Sequence, residues 1–148
     1  MTLVEFLLAR ITEDEDEAKA AEHKNGSKWT VDPFEDGGAR INGTVDRGAN
    51  PRAYSGDREL WDDETALGMW LDTAMHVVRW DPARVLAECE TKRAIIELWQ
   101  QTDADDRVAF NEVEAEKRVS RQTTLWSVLK LLALPFAGHP DYREEWRP

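Results

Sequence analysis

The sequence has little cysteine, no long apolar run, and few bases for its many acids. A single cysteine, Cys89, excludes an intrachain disulfide and a multi-cysteine zinc site, and is typical of a reducing compartment. The longest apolar stretch, LLALPFAG, is too short to span a membrane and is broken by Pro135. The start, MTLVEFLLARITEDEDE, lacks the basic region of a signal peptide. We therefore expect a cytoplasmic protein without a membrane segment.

The charge balance argues against two classes of function. The chain of 148 residues has 30 acidic and 19 basic residues and a net charge of −11. Proteins that bind nucleic acid or anionic membranes directly carry basic surfaces, so we expect no direct binding to either. The seven tryptophans are many for this length. Since a buried indole N–H needs a partner, we expect some of them at surface rims or interfaces.

The apolar periodicity predicts an α+β fold, mainly α, with about four main helices and one β-hairpin packed on them. The length and the 41% hydrophobic content suit one domain over residues 1–148. Its predicted elements are helix 2–24, the hairpin and its loop 28–60, helices 62–79, 82–101 and 106–134, and a C-terminal capped turn 141–146. Whether 106–134 forms one helix or two stays open.

Short local motifs mark the ends of these elements. Thr2 and Glu5 have the spacing of a capping box, and Asn25-Gly26 supplies a helix stop. Asp62 is the expected N-cap of the second helix. Asp81-Pro82 places a capping carboxylate before a proline in the first helical position. A short third strand could lie near Ala53-Tyr54.

The expected core combines one face of each helix. Val4, Leu7, Leu8 and Ile11 form the stripe of the first helix, and Leu67, Trp70, Leu71, Ala74 and Val78 form that of the second. Val85, Cys89, Ile96 and Trp99 point inward from the third helix, so Cys89 is expected to be a core residue. The segment from Leu125 to Leu134 is apolar nearly all round, which predicts a central position.

The tail HPDYREEW raises the question of a reactive site. His139 and Asp141 are two residues apart, and Tyr142 and Trp146 share a face. The structural interpretation is that Asp141 and Glu144 form a capping box while the two aromatic side chains hold the tail on the helices. A catalytic role would need a second ligand or base, and His76 is more simply a partly buried, hydrogen-bonded residue.

The hairpin and its loop form the part of the chain that is not acidic, with six bases and five acids between Lys24 and Arg58. Four arginines of this region could bind an anionic small molecule or nucleotide, with His76 or His139 nearby. They are Arg40, Arg47, Arg52 and Arg58. Docking of this region onto the acidic helices explains the same charge, so the ligand site remains one of two interpretations.

Two segments, RWDPARVLAECETKRAI and LKLLALPFAGHPDYREEWRP, resemble the signature blocks of a small uncharacterised family. That family is found in Streptomyces, in related actinobacteria and in their phages. VEFLLARITEDEDE and the strand beginning KWTVD are also similar to its members. Many relatives carry a cysteine pair between the two blocks, whereas Gln100 to Thr124 holds neither Cys nor His. The resemblance therefore implies lineage and compartment, and it implies no metal site here.

No phosphate loop, G-x-S-x-G elbow or metal-ligand pair is present in the sequence. We therefore expect a non-enzymatic actinobacterial or actinophage accessory protein without cofactor or metal, which acts by binding another, unidentified protein. Homodimerisation is a further possibility, because a long half-polar helix often pairs with a second copy. The alternatives are a small-molecule or nucleotide binder, with or without hydrolase activity, and an acidic DNA mimic that inhibits a nucleic-acid-binding protein of the host.

Overall fold

The computed structural model describes residues 1–44, 57–59, 69–104 and 112–148. The chain divides into two compact units, one formed by Met1–Glu13 with Cys89–Pro148 and the other by Asp14–Glu88. The prediction of an α+β fold, mainly α, is confirmed. The main helices are α1 (Leu3–Asn25), α2 (Leu71–Arg79), α3 (Pro82–Ala104) and α4 (Glu112–Ala133), and the strands are β1 (Lys28–Pro33), β2 (Gly38–Thr44), β3 (Asp57–Glu59) and β4 (Met69–Trp70).

Helix α1 begins with the predicted capping box. The backbone N–H of Thr2 donates to the Glu5 carboxylate at 2.7 Å, and the backbone N–H of Glu5 donates to the Thr2 hydroxyl at 3.2 Å. The first of these bonds holds the pKa of Glu5 below its ordinary value, and the Thr2 side chain lowers it further. The predicted stop also holds, because Gly26 takes a φ of 82°.

This lowered pKa predicts how the helix start responds to acid. A carboxylate whose folded pKa is depressed stabilises the fold above its unfolded pKa and loses that contribution as the pH falls through the folded value. We expect Glu5→Gln to destabilise the protein at neutral pH and to become neutral in acid. Urea unfolding of both proteins across this range measures the effect. Glu17→Gln, an exposed α1 carboxylate without a described hydrogen bond, is the control, and an equal pH response of both variants would contradict the assignment.

The sheet is built around β2. Strand β1 pairs with β2 antiparallel from Lys28↔Thr44 to Pro33↔Ala39, so the predicted hairpin is present. Strands β3 and β4 both pair with β2, at Asn42–Thr44 and at Gly38–Ala39 respectively. The third strand is thus Asp57–Glu59, whereas the position proposed for it near Ala53-Tyr54 lies outside the described residues.

Helix α2 covers one face of this sheet. Ala39, Ile41 and Ala74 are buried there. The partly buried side chains around them are Trp29, Val31, Met69, Val77 and Val78. The prediction of a helix over 62–79 was wrong at its start, because Met69–Trp70 is extended and pairs with β2. The expected cap Asp62 and stripe residue Leu67 lie outside the described residues. Ala74 faces the core as predicted, but Trp70 does not.

Helix α3 starts where the sequence predicts. The Asp81 carboxylate accepts the backbone N–H of Arg84 at 2.9 Å and lies 3.5 Å from the Lys28 ammonium. Pro82 takes the first helical position, where its missing N–H costs no hydrogen bond. Cys89 and Ile96 are fully buried farther along. Cys89 is therefore a core residue, as predicted.

Helix α4 is continuous from Glu112 to Ala133, and residues 106–111 of its predicted range lie outside the described part. Leu129 and Ala133 are completely buried. The expectation that the apolar second half would be central all round was wrong in part. Leu131, two residues from Leu129, is 54% exposed, so only one side of this segment belongs to the core.

Candidate functional site

The C-terminal tail packs on the first turns of α1. After α4 the chain makes two 3-10 turns, at Leu134–Phe136 and Glu144–Trp146. The buried Phe6 ring lies 5.1–6.3 Å, centroid to centroid, from four rings of this tail. They belong to Phe136, His139, Tyr142 and Trp146. The aromatic residues of the tail therefore form a structural cluster around one α1 side chain.

His139 has contacts at both ring nitrogens. Its Nε2 faces the Arg10 guanidinium, and its Nδ1 accepts the backbone N–H of Asp141 at 3.1 Å. The Asp141 carboxylate is 4.0 Å from Nδ1, too far for a hydrogen bond. Arg10 also donates to Glu13 at 2.7 Å. Both groups that face the ring nitrogens are N–H donors, and a neutral imidazole accepts a hydrogen bond at one nitrogen only. The lone pair that accepts the Asp141 N–H is engaged within the tail, which supports the structural interpretation.

One detail of the predicted tail differs from the structure. The final turn begins at Glu144 after Arg143, without a side-chain cap, so the expected Asp141 capping box is absent. Nε of Arg10 and the Tyr142 hydroxyl are buried without a partner among the described residues. Burial of the aromatic rings must outweigh that cost.

Only one of the four arginines of the predicted anion site has a described side chain. Arg47 and Arg52 lie outside the described residues, and for Arg58 only the backbone in β3 is described. Arg40 is exposed on β2, and its guanidinium lies 5.5 Å from the Phe34 ring. His76 is exposed on α2, so the expectation of a partly buried histidine was wrong.

A second candidate site is the sheet face opposite α2. Phe34, Gly38 and Trp70 form one row across three neighbouring segments, because Phe34 N–H donates to Gly38 O at 2.8 Å and Gly38 is opposite Trp70. Directly opposed residues of antiparallel strands point to the same side. Trp70 is 72% exposed and Phe34 39% exposed. We call Phe34, Arg40 and Trp70 the aromatic face.

The turn needs glycine at two positions, for different reasons. A Cβ atom on Gly38 would come within 3.1 Å of the Asp36 carboxylate and 3.3 Å of the Phe34 ring, which is tighter than ordinary contact. Gly37 has a φ of 87°, which other residues rarely adopt. Its carbonyl also accepts the Leu71 N–H at 3.2 Å, which links the hairpin turn to the start of α2. The backbone of the turn thus positions both aromatic residues.

The signal for the aromatic face in the sequence is only indirect. The excess of tryptophan indicated exposed rings, but the helical periodicity assigned Trp70 to a buried stripe. The pairing of β4 with β2 gives Trp70 the opposite orientation. Met69 faces the core, so Trp70, the next residue of the strand, faces outward. Phe34 lies within the predicted hairpin and its loop, 28–60, where its position carries no signal for a binding role. Neither residue was predicted as a site residue.

The described part of the chain has neither a metal-binding cluster nor a helix that could span a membrane. No group of three or more His, Cys, Asp or Glu side chains is arranged there to hold a metal ion. Among the helices of the described residues, none has the length and apolarity needed to cross a membrane. Neither observation adds a candidate to the two sites above.

Comparison with known proteins identifies the family of this chain. Residues 1–148 match the model of the family DUF6221, a family of unknown function, and the chain belongs to it. The predicted membership in an uncharacterised family is thereby confirmed, while its distribution among actinobacteria and phages stays a prediction. The comparisons found no match among curated proteins or among solved structures.

Proposed function

We propose that this protein is a non-enzymatic accessory protein that binds another protein through its aromatic face. The observation that carries the proposal is the 72% exposure of Trp70 beside a partly exposed Phe34. Tryptophan and arginine are the side chains most enriched at the energetic centres of protein interfaces. Both occur here on the same face of the sheet, Trp70 opposite Gly38 and Arg40 two residues farther along β2.

The geometry of the aromatic face favours binding without a large rearrangement. Trp70 sits on a strand paired with β2, and Phe34 closes the hairpin turn. The Arg40 guanidinium lies 5.5 Å from the centre of the Phe34 ring, within the range of a cation–π interaction. Because strand pairing already orders the backbone that carries Trp70, less conformational entropy is lost on binding.

The charges around the aromatic face indicate the chemistry of the partner. Among the described residues at or near the hairpin turn, Asp32, Glu35 and Asp36 are exposed, and Arg40 carries the positive charge. The complementary surface carries apolar side chains for Trp70 and Phe34, with lysine or arginine beside them. We therefore infer a basic protein segment with apolar anchors as the partner. The resemblance noted above favours such a role in the cytoplasm of an actinobacterium or in an actinophage infection.

Selection from a random peptide library tests this proposal. We expect the protein to enrich peptides that combine lysine or arginine with apolar residues. Trp70→Ala should weaken a selected peptide by about 2 kcal/mol or more, as for interface hot spots. Binding should also weaken as salt is raised. Fluorescence anisotropy of the labelled peptide measures both effects, and urea unfolding should show that the exposed Trp70 contributes little to stability.

Trp80→Ala is the matched control. Trp80 is 43% exposed at the end of α2, and its ring stacks with Arg84 at 4.3 Å. We expect this variant to bind the selected peptides almost as the wild type does. Equal loss in both variants, or tight binding by Trp70→Ala, would overturn the proposal. A dimer in sedimentation that dissociates in Trp70→Ala would assign the face to a second copy, and displacement of the peptide by a nucleotide would assign it to the nucleotide alternative.

A further inference from the structure

A cleft lies between the last turns of α3 and the middle of α4. Its volume is about 450 Å³, within the range of small-molecule sites in proteins. Its lining includes, among the described residues, Leu98, Gln101, Thr102, Arg121, Thr124 and Leu125. All of them belong to the unit formed by the N- and C-terminal parts of the chain. The cleft is thus distinct from the aromatic face.

The walls of the cleft are mainly apolar. Leu98 is 54% exposed, so its side chain presents open apolar surface. The hydroxyl of Thr102 donates to the Leu98 carbonyl at 2.7 Å, and that of Thr124 donates to the Ser120 carbonyl at 2.8 Å. These hydroxyl hydrogens are therefore occupied within the helices. What the two threonines offer a ligand is methyl surface and oxygen lone pairs.

Arg121 supplies the positive charge of the cleft. Its side chain is exposed, and no described residue forms an ion pair or hydrogen bond with its guanidinium. The other donor, the Gln101 amide, already bonds the Glu97 carboxylate at 3.3 Å. In a chain with a net charge of −11, a guanidinium that has no partner among the described residues and lies beside an apolar wall favours one ligand chemistry. That chemistry is a single negative charge on an apolar body.

We propose that this cleft binds a small carboxylate with an aliphatic body, of the kind found in medium-chain fatty acids. The carboxylate pairs with the planar guanidinium of Arg121, a geometry that allows two parallel hydrogen bonds. The aliphatic part lies on Leu98 and Leu125 and is removed from water. A single guanidinium matches the single charge of a carboxylate better than the higher charge of a phosphate.

Octanoate is the probe for this proposal, with octan-1-ol and octyltrimethylammonium as uncharged and cationic controls. Trp99 follows Leu98 in the chain, and Trp126 follows Leu125. The centroids of the two indole rings are 5.5 Å apart. Their indole N–H signals in NMR should therefore shift on titration. We expect octanoate to bind more tightly than octan-1-ol and octyltrimethylammonium to bind least. Arg121→Gln should weaken octanoate about tenfold, the loss of one charge-assisted pair.

Two further variants separate the cleft from other surfaces. Lys117→Gln removes an exposed cation one turn earlier on α4 and should leave octanoate binding unchanged. Thr124→Phe fills the cleft and should abolish binding of octanoate and octan-1-ol alike. Equal affinity for octanoate and octan-1-ol, unaffected by Arg121→Gln, would overturn the role of the carboxylate. Absence of binding, or binding that survives Thr124→Phe, would overturn the site.

Discussion

Phe6→Ala should lower the free energy of unfolding by about 3–5 kcal/mol, the range for removal of a buried phenylalanine. Phe6 is completely buried in α1, and four rings of the C-terminal tail surround it. The substitution creates a cavity at their centre and removes edge contacts that stabilise aromatic pairs beyond simple burial. Urea denaturation followed by circular dichroism measures the change. A loss of this size is a large part of the stability of an ordinary domain.

Phe34→Ala is the matched control, because the same side chain is removed where it is 39% exposed. We expect a clearly smaller loss there. Phe6→Leu keeps most of the volume and remains informative if Phe6→Ala does not fold. In that variant, hydrogen exchange should be faster at the Tyr142 and Trp146 amides, which are held in the tail turns. Unchanged exchange, or equal losses at Phe6 and Phe34, would mean that Phe6 does not anchor the tail.

The ends of the helices could be predicted from the sequence because their signals are local. The Thr2–Glu5 capping box and the Asp81-Pro82 start each depend on residues within one helical turn. Local motifs require no knowledge of what lies across the fold. The left-handed Gly26 belongs to the same class, since glycine takes that conformation without steric cost and Asn25-Gly26 directly follows the last helical turn. These features are therefore present in the structure as predicted.

The aromatic face could not be predicted for the opposite reason. Trp70 fits the helical spacing that includes Ala74 and Val78, so the pattern alone placed it in the core. Pairing of Met69–Trp70 with β2 overrides this pattern, and that pairing joins segments far apart in the chain. The tail shows the same limit. The shared face of Tyr142 and Trp146 could be read from their spacing, but their partner Phe6 could not.

Leu129→Ala should lower the free energy of unfolding by about 2–5 kcal/mol, whereas Leu131→Ala should change it far less. Both residues lie in the α4 segment whose apolar residues point in nearly all directions. Leu129 is completely buried, but Leu131 is 54% exposed. Composition cannot distinguish them, since the two side chains are identical and only two positions apart. The side of the helix that each occupies decides the difference.

The comparison of these two leucines measures how far the core of this unit extends around α4. Urea unfolding of both variants, with the same spectroscopic signal, gives the difference directly. Ala133 is buried on the same side as Leu129, one turn later, so Ala133→Ser should destabilise in the same direction through an added buried hydroxyl. If Leu131→Ala proves as destabilising as Leu129→Ala, Leu131 must be covered in solution. Sedimentation of the wild type and of Leu131→Ala would then show whether a second copy covers it, as homodimerisation requires.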